Sequence, residues 1–334
     1  MIKILSFNEI DSIQWQQLVE RSDVASFFQT KECYDFYQSL PFFNPFLYAV
    51  SENEKLVGLV CGYIIADGKS LKRFFSRRAI IPGGLLLDND ISKDALSALL
   101  EQTKRELKNK AIYIEIRNYA DYSWTRDVIE NNRFSYQEHL NFHVPTPDYE
   151  TALNQLSSTK RRDIKLSIRE GAEYSETSDD EEICVLYEIL QDLYEKKIKT
   201  PLFPLEFFKT LARTPNGKIF VIKKDNKLVG GCVCVCLPNR AIYEWFVCGT
   251  DGHMKNVFPS TLATWSGIEY AATNNYPRFD MMGAGKPNEG YGVREFKEKF
   301  GGKLVEHGRF LHVNNRILYS IGKRGVEFLK TMKS

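Results

Sequence analysis

FLYAVSENEKLVG, Phe46–Gly58, and IFVIKKDNKLVG, Ile219–Gly230, are one pattern written twice. Each opens on an apolar run, crosses a polar turn (Ser51–Glu54 or Lys223–Asn226) and returns through Lys-Leu-Val-Gly, which predicts a β-hairpin in each copy. The continuation is shared as well: further strand-like sequence, a helix, then another strand. In the first copy the helix is Lys93–Leu107, with Leu96, Leu99, Leu100 and Leu107 on one stripe, and the strand is Ala111–Arg117. In the second they are Ser260–Ala272 and Arg278–Met282. The order predicts an α/β (α+β) chain of two tandem domains, each a mixed sheet flanked by helices. Pro-Thr-Pro-Asp within Pro145–Tyr149 punctuates the chain between the copies, which predicts domains at 1–146 and 147–334.

The 334 residues, 43% of them hydrophobic, suffice for two ordinary cores. A net charge of +2 gives no global case for nucleic-acid binding, so any phosphate contact must use a local patch. Such a patch is available. Tyr149–Glu170 reads as one helix carrying Lys160, Arg161, Arg162, Lys165 and Arg169, with Arg162, Lys165 and Arg169 on one face. That face is either simply solvated or a contact for phosphate. Cys232, Cys234 and Cys236 alternate on one side of a strand, roughly 7 Å apart, which suits core thiols better than a zinc site. His139 and His143 lie in an extended segment, and no metal or cofactor site is expected. Glu9 and Asp11 come too early for a signal peptide, and no run reaches the roughly 18 apolar residues of a membrane span. A cytoplasmic protein, at most peripheral to the inner face of the membrane, is the expectation.

The candidate site is FDMMGAGKPNEGYGVREFKEKFGG, Phe279–Gly302. A strand breaks at Gly283 and Gly285, a loop follows, and Val293, Phe296 and Phe300 recur at helical spacing. Neither nucleotide fingerprint is present: Asn288 stands where a dinucleotide loop needs its third glycine, and Pro287 follows Lys286 where a Walker loop needs Ser or Thr. The ending Phe296-Lys297-Glu298-Lys299-Phe300-Gly301-Gly302, after a Phe-Asp strand and a glycine-rich loop, resembles the C-terminal signature of the Fem (FemABX) peptidyltransferases. Phe28-Gln29-Thr30 is similar to the family's early Leu-Gln-Ser segment, and Lys160 through Gly171 to its central basic helix.

The resemblance implies two tandem GNAT-like domains and transfer of an amino acid from aminoacyl-tRNA to a peptidoglycan precursor, lipid-linked or nucleotide-linked. It implies that Lys297, in the Phe-Lys pair, is catalytic. A lysine with an ordinary pKa of about 10.4 is suited to stabilising a developing oxyanion. No nucleophile elbow or Cys-His setting is present, so direct attack by the acceptor amine is expected. Phe296, Tyr291, Gly283, Gly285, Asp280, Tyr243, Arg162 and Lys165 are the expected substrate-binding residues. Asp280 either orients an amine or holds the loop backbone, Tyr291 is either a ligand contact or an ordinary loop tyrosine, and Tyr243, with Trp245 on the same strand, is either a substrate contact or a core aromatic. Two positions depart from the family: its N-terminal tryptophan is Cys33 here, and a nearby substrate-contacting lysine is Tyr37. Two other readings stay open. One is an acyl-CoA-dependent N-acyltransferase acting on a sugar amine or an exopolysaccharide precursor, disfavoured because His253–Ser260 lacks a pyrophosphate-binding glycine run. The other is a double-domain binding protein without chemistry.

Overall fold

A computed structural model describes residues 1–66, 75–290 and 292–331, with side chains to residue 324. The chain forms two compact units, Met1–Glu138 with His307–Ser334, and His139–Glu306. The first contains β1 (Ile2–Leu5), β2 (Asn44–Glu52), β3 (Lys55–Ile65), β4 (Arg78–Gly83), β5 (Leu86–Leu87), β6 (Tyr113–Asn118) and β7 (Ser135–Gln137). The second contains β8 (Leu140–Pro145), β9 (Ala172–Glu176), β10 (Gly217–Lys224), β11 (Lys227–Leu237), β12 (Ala241–Gly249), β13 (Arg278–Gly283) and β14 (Lys303–Glu306). β15 (Arg309–Val313) returns to the first sheet.

Both hairpins form, and they match in detail. Each turn places two residues in the left-handed region, Asn53 and Glu54 or Asp225 and Asn226, the signature of a tight turn whose twist suits the flanking strands. Each hairpin also carries a bulge one step further in, after Val50 in one and Ile222 in the other. The Lys93–Leu107 and Pro259–Thr273 helices pack on their respective sheets. Leu96, Leu99, Leu100 and Leu107 are buried as their stripe requires. Cys232, Cys234 and Cys236 lie in the second core with Trp265 and Phe279.

The domain bounds differ from 1–146 and 147–334. The sheets run β1-β2-β3-β4-β6-β15-β7 and β14-β8-β13-β12-β11-β10-β9. β8 follows the first copy in sequence yet sits between β13 and β14, whereas β15 follows the second copy and sits between β6 and β7. Each sheet is completed by the last strand of the other repeat. The Pro-Thr-Pro-Asp punctuation ends β8 and then caps a helix, where Asp148 accepts the Thr151 N–H at 2.7 Å. The expected single helix over 149–170 is two, Tyr149–Asn154 and Ser158–Arg169, because Ser157 caps the second by accepting the Lys160 N–H at 3.3 Å.

One difference between the copies matters for chemistry. In the first unit the parallel strands β4 and β6 pair along their whole length, from Arg78–Tyr113 to Gly83–Asn118. In the second, β12 and β13 pair only at Ile242–Phe279 and Tyr243–Asp280 and then part.

Candidate active site

Parting two parallel strands leaves backbone carbonyls without a ladder partner, and a buried carbonyl must find one. On β13 the partner is Lys297. Its Nζ donates to the carbonyls of Met281 and Gly283, the latter at 2.9 Å. The lysine comes from the short helix Gly292–Glu298 and is 7% exposed. Burial pulls its pKa down, opposed by the negative charges of Glu244 and Asp280.

Glu244 is the residue that sequence reasoning missed. It lies on β12 immediately after the last pair with β13, and it is 5% exposed. Burial pushes its carboxyl up to about 7, against the pull of the Lys297 ammonium and the Thr264 hydroxyl. A carboxyl raised toward neutrality and a lysine whose cation burial disfavours feel each other's charge, a combination suited to moving a proton at physiological pH. A signal for it was present in the sequence: Glu244 is the one charged residue in the apolar strand AIYEWFVCG.

The end of β13 is shaped by Asp280, which is fully buried. One carboxylate oxygen accepts the Met282 N–H at 2.7 Å, and the other lies 3.1 Å from His143 Nε2. Burial alone would raise its pKa; His143, Arg278 and the Met282 amide more than offset this and hold it low. Met282 takes a φ of 57°, costly for a non-glycine residue, at the point where the β8–β13 register shifts. Asp280 therefore acts on the backbone. Gly285 has φ 77°, which glycine adopts freely, and its carbonyl accepts the Leu140 N–H at 2.9 Å. At Gly283 a Cβ would come within 3.2 Å of His139 Nε2. Arg294, also unforeseen, holds the loop by donating to the carbonyls of Ala284 at 3.0 Å, Pro287 at 3.3 Å and Lys286.

The other expected residues separate from this centre. Phe296 packs beside Phe300 under the Lys160 ammonium, which stands 4.1 Å above the Phe296 ring and donates to Thr261 Oγ1 at 2.6 Å. Lys160 is thus inside, not on the basic face, and burial brings its pKa down to about 8. Arg162, Lys165 and Arg169 are exposed around an open groove of about 460 Å³. Tyr243 is fully enclosed, its hydroxyl pushed up to about 12 mainly by burial, so it lies in the core and not on a ligand surface. Tyr291 lies outside the described residues. Cys33 and Tyr37 are both core residues, Tyr37 packing on Phe43 and Tyr63. Among the described residues no three metal-ligating side chains converge, and no helix is long and apolar enough to cross a membrane.

A further feature bears on the donor. The amides opening the Pro259–Thr273 helix would be the place to cradle a pyrophosphate. Pro259 has no N–H, and the Asp251 carboxylate occupies the Ser260 amide at 3.3 Å and the Ser260 hydroxyl. A protein anion already holds the position.

Comparison with known proteins agrees with this architecture. A family model described as an acetyltransferase (GNAT) domain matches residues 157–298, which includes the parted strands and Lys297. FemX superposes with a TM-score of 0.73 at 15% identity, over 96% of this chain and 99% of FemX. A tandem GNAT protein from the clavulanic acid biosynthesis pathway gives 0.57 at 8% identity, over 94% and 99%. L-PGS from Bacillus licheniformis gives 0.55 at 14%, over 92% and 93%. No curated protein matches the chain by sequence. The fold expected from the resemblance is borne out: the chain has the two-unit fold of FemX, and residues 157–298 match a GNAT domain.

Proposed function

We propose that the chain is an aminoacyltransferase that moves an amino acid from aminoacyl-tRNA to an amine of a peptidoglycan precursor, lipid-linked or nucleotide-linked. The observation that carries this is the Lys297–Glu244 pair, set where β12 and β13 part. In the reaction the neutral amine attacks the ester carbonyl carbon. A C–N bond forms as the carbonyl π pair moves to oxygen, and collapse breaks the bond to the ribose oxygen. Glu244 accepts the proton that the amine loses and returns it to the departing ribose oxygen. Lys297 offsets the charge of the tetrahedral oxyanion, aided by low local polarity. The exposed Arg162–Lys165–Arg169 face suits phosphate groups on either substrate.

The match to an acetyltransferase domain favours a second reading, in which the donor is an acyl-CoA. Asp251 at the helix start weighs against it, since CoA pyrophosphate would have to displace a carboxylate. A third, a binding protein without chemistry, leaves the near-neutral buried carboxyl unexplained.

The deciding experiment offers the purified protein charged aminoacyl-tRNAs and acyl-CoAs in parallel, with a muropeptide precursor and a simple amine as acceptors. Turnover with aminoacyl-tRNA is expected, and turnover with acyl-CoA alone would overturn the proposal. Lys297→Ala is expected to lower kcat roughly 100- to 1,000-fold. Undiminished activity in that variant would remove Lys297 from the mechanism while leaving the donor question answered.

A further inference from the structure

Among the described side chains, which run to Arg324, the Arg316–Thr331 helix of the first unit is fastened by one side. At its start the Asn314 and Asn315 amides donate to the Ile112 carbonyl at 2.9 and 3.1 Å, and the Asn314 side chain donates to the carbonyls of Leu107 and Ala111. Tyr319 then packs edge-on against Tyr113, with ring centroids 5.5 Å apart, and Leu318 is half-buried. That docking turns Ile317 and Ile321, one helical turn apart, outward: they are 73% and 54% exposed. Phe75, 41% exposed, lies alongside, its carbonyl 4.0 Å from where a Cβ on Gly322 would stand.

Charge says what this face meets. Arg316–Thr331 holds four basic residues and one acidic, while the rest of the chain holds 41 basic and 42 acidic. Arg316, Lys323 and Arg324 are exposed, flanking the isoleucines, and no acidic residue lies between Asn315 and Arg324. A soluble helix normally turns its apolar stripe to the core and its charges to water. Here large β-branched side chains and cations share the solvent side. That combination fits an interface with an apolar interior and an anionic rim, which a bilayer of anionic lipid supplies. A nucleic acid would match the cations and leave the isoleucines in water.

We propose that this helix face is a membrane-surface contact, with Ile317 and Ile321 entering the headgroup–acyl boundary and Arg316, Lys323 and Arg324 on anionic headgroups. It is independent of the transfer reaction and of which donor that reaction uses.

The test is co-sedimentation of the full chain with vesicles of phosphatidylcholine mixed with phosphatidylglycerol, and with pure phosphatidylcholine. Binding to the anionic vesicles that weakens as salt rises, with little on the neutral ones, is expected. Lys323→Ala/Arg324→Ala should weaken partitioning about 20-fold, and Ile317→Ser/Ile321→Ser about 10-fold or more. All four positions are exposed, so thermal unfolding should be unchanged in both variants. Failure of the wild-type protein to bind anionic vesicles would overturn the proposal. So would salt-independent binding, equal binding by both variants, or self-association that the serine variant abolishes in place of vesicle binding.

Discussion

Glu244 imposes a cost on the second unit, because burial disfavours its ionised form. Its carboxyl titrates near 4.5 when unfolded and about 7 when folded. Between those values the unfolded chain has released a proton that the folded chain keeps, so stability falls as pH rises through this window. Above it the penalty is about 3 kcal/mol. Glu244→Gln is therefore expected to stabilise the protein by about 1–3 kcal/mol at pH 8 and to change little at pH 4.5. The same variant should lose the rise in kcat/KM that ionisation of Glu244 produces near pH 7 in the wild type. Equal stability at pH 8, or an unaltered pH profile, would count against both its pKa and its role. Lys297 was legible in the sequence because it sits in a motif, whereas Glu244 belongs to none. Its meaning comes from where β12 loses its partner, and that is set by pairing across 36 residues of intervening chain, not by neighbours in sequence.

At the scale of elements, the readable features were those governed locally. Turn residues that tolerate a left-handed backbone, the Lys-Leu-Val-Gly return and the leucine stripe of Lys93–Leu107 each follow from a few neighbouring side chains, and each formed where expected. The break at Ser157 was missed because a capping serine inside a helical pattern competes with propensity only weakly. The Asp251 contact was not legible at all, since it joins a loop to a helix start nine residues on. It yields a prediction about that helix. Asp251→Ala removes a cap worth about 1 kcal/mol and should lower Tm by roughly 2–4 °C. It also frees the Ser260 amide, so the variant should gain weak binding of inorganic pyrophosphate that the wild type lacks. Calorimetry on both proteins decides it. Saturable binding of CoA or pyrophosphate by the wild type would mean that Asp251 does not block the site, and would restore the acyl-CoA reading.

Across the whole molecule, the repeat was visible and the exchange of its last strands was not. Repeats reveal which segments resemble each other, while strand partners are chosen by register and burial over long separations. Pro145–Tyr149 carried the strongest local punctuation, so it attracted the boundary, although β8 just before it belongs to the second sheet. The consequence is testable with two fragments. His139–Glu306 keeps β8 between β13 and β14, with Leu140, Phe142 and Val144 in the core. A fragment of residues 147–334 lacks that strand, leaves β13 and β14 without their shared partner, and carries β15 away from β6 and β7. Loss of a buried large apolar side chain costs about 2–5 kcal/mol, so three such losses match the roughly 5–15 kcal/mol that holds a domain folded. His139–Glu306 should therefore show a cooperative thermal transition with native near-UV ellipticity, and 147–334 should show neither. If the longer fragment folded equally well, β8 would be dispensable to the second sheet, and the pairing that holds Phe279–Gly283 against it would have to be supplied by some other strand.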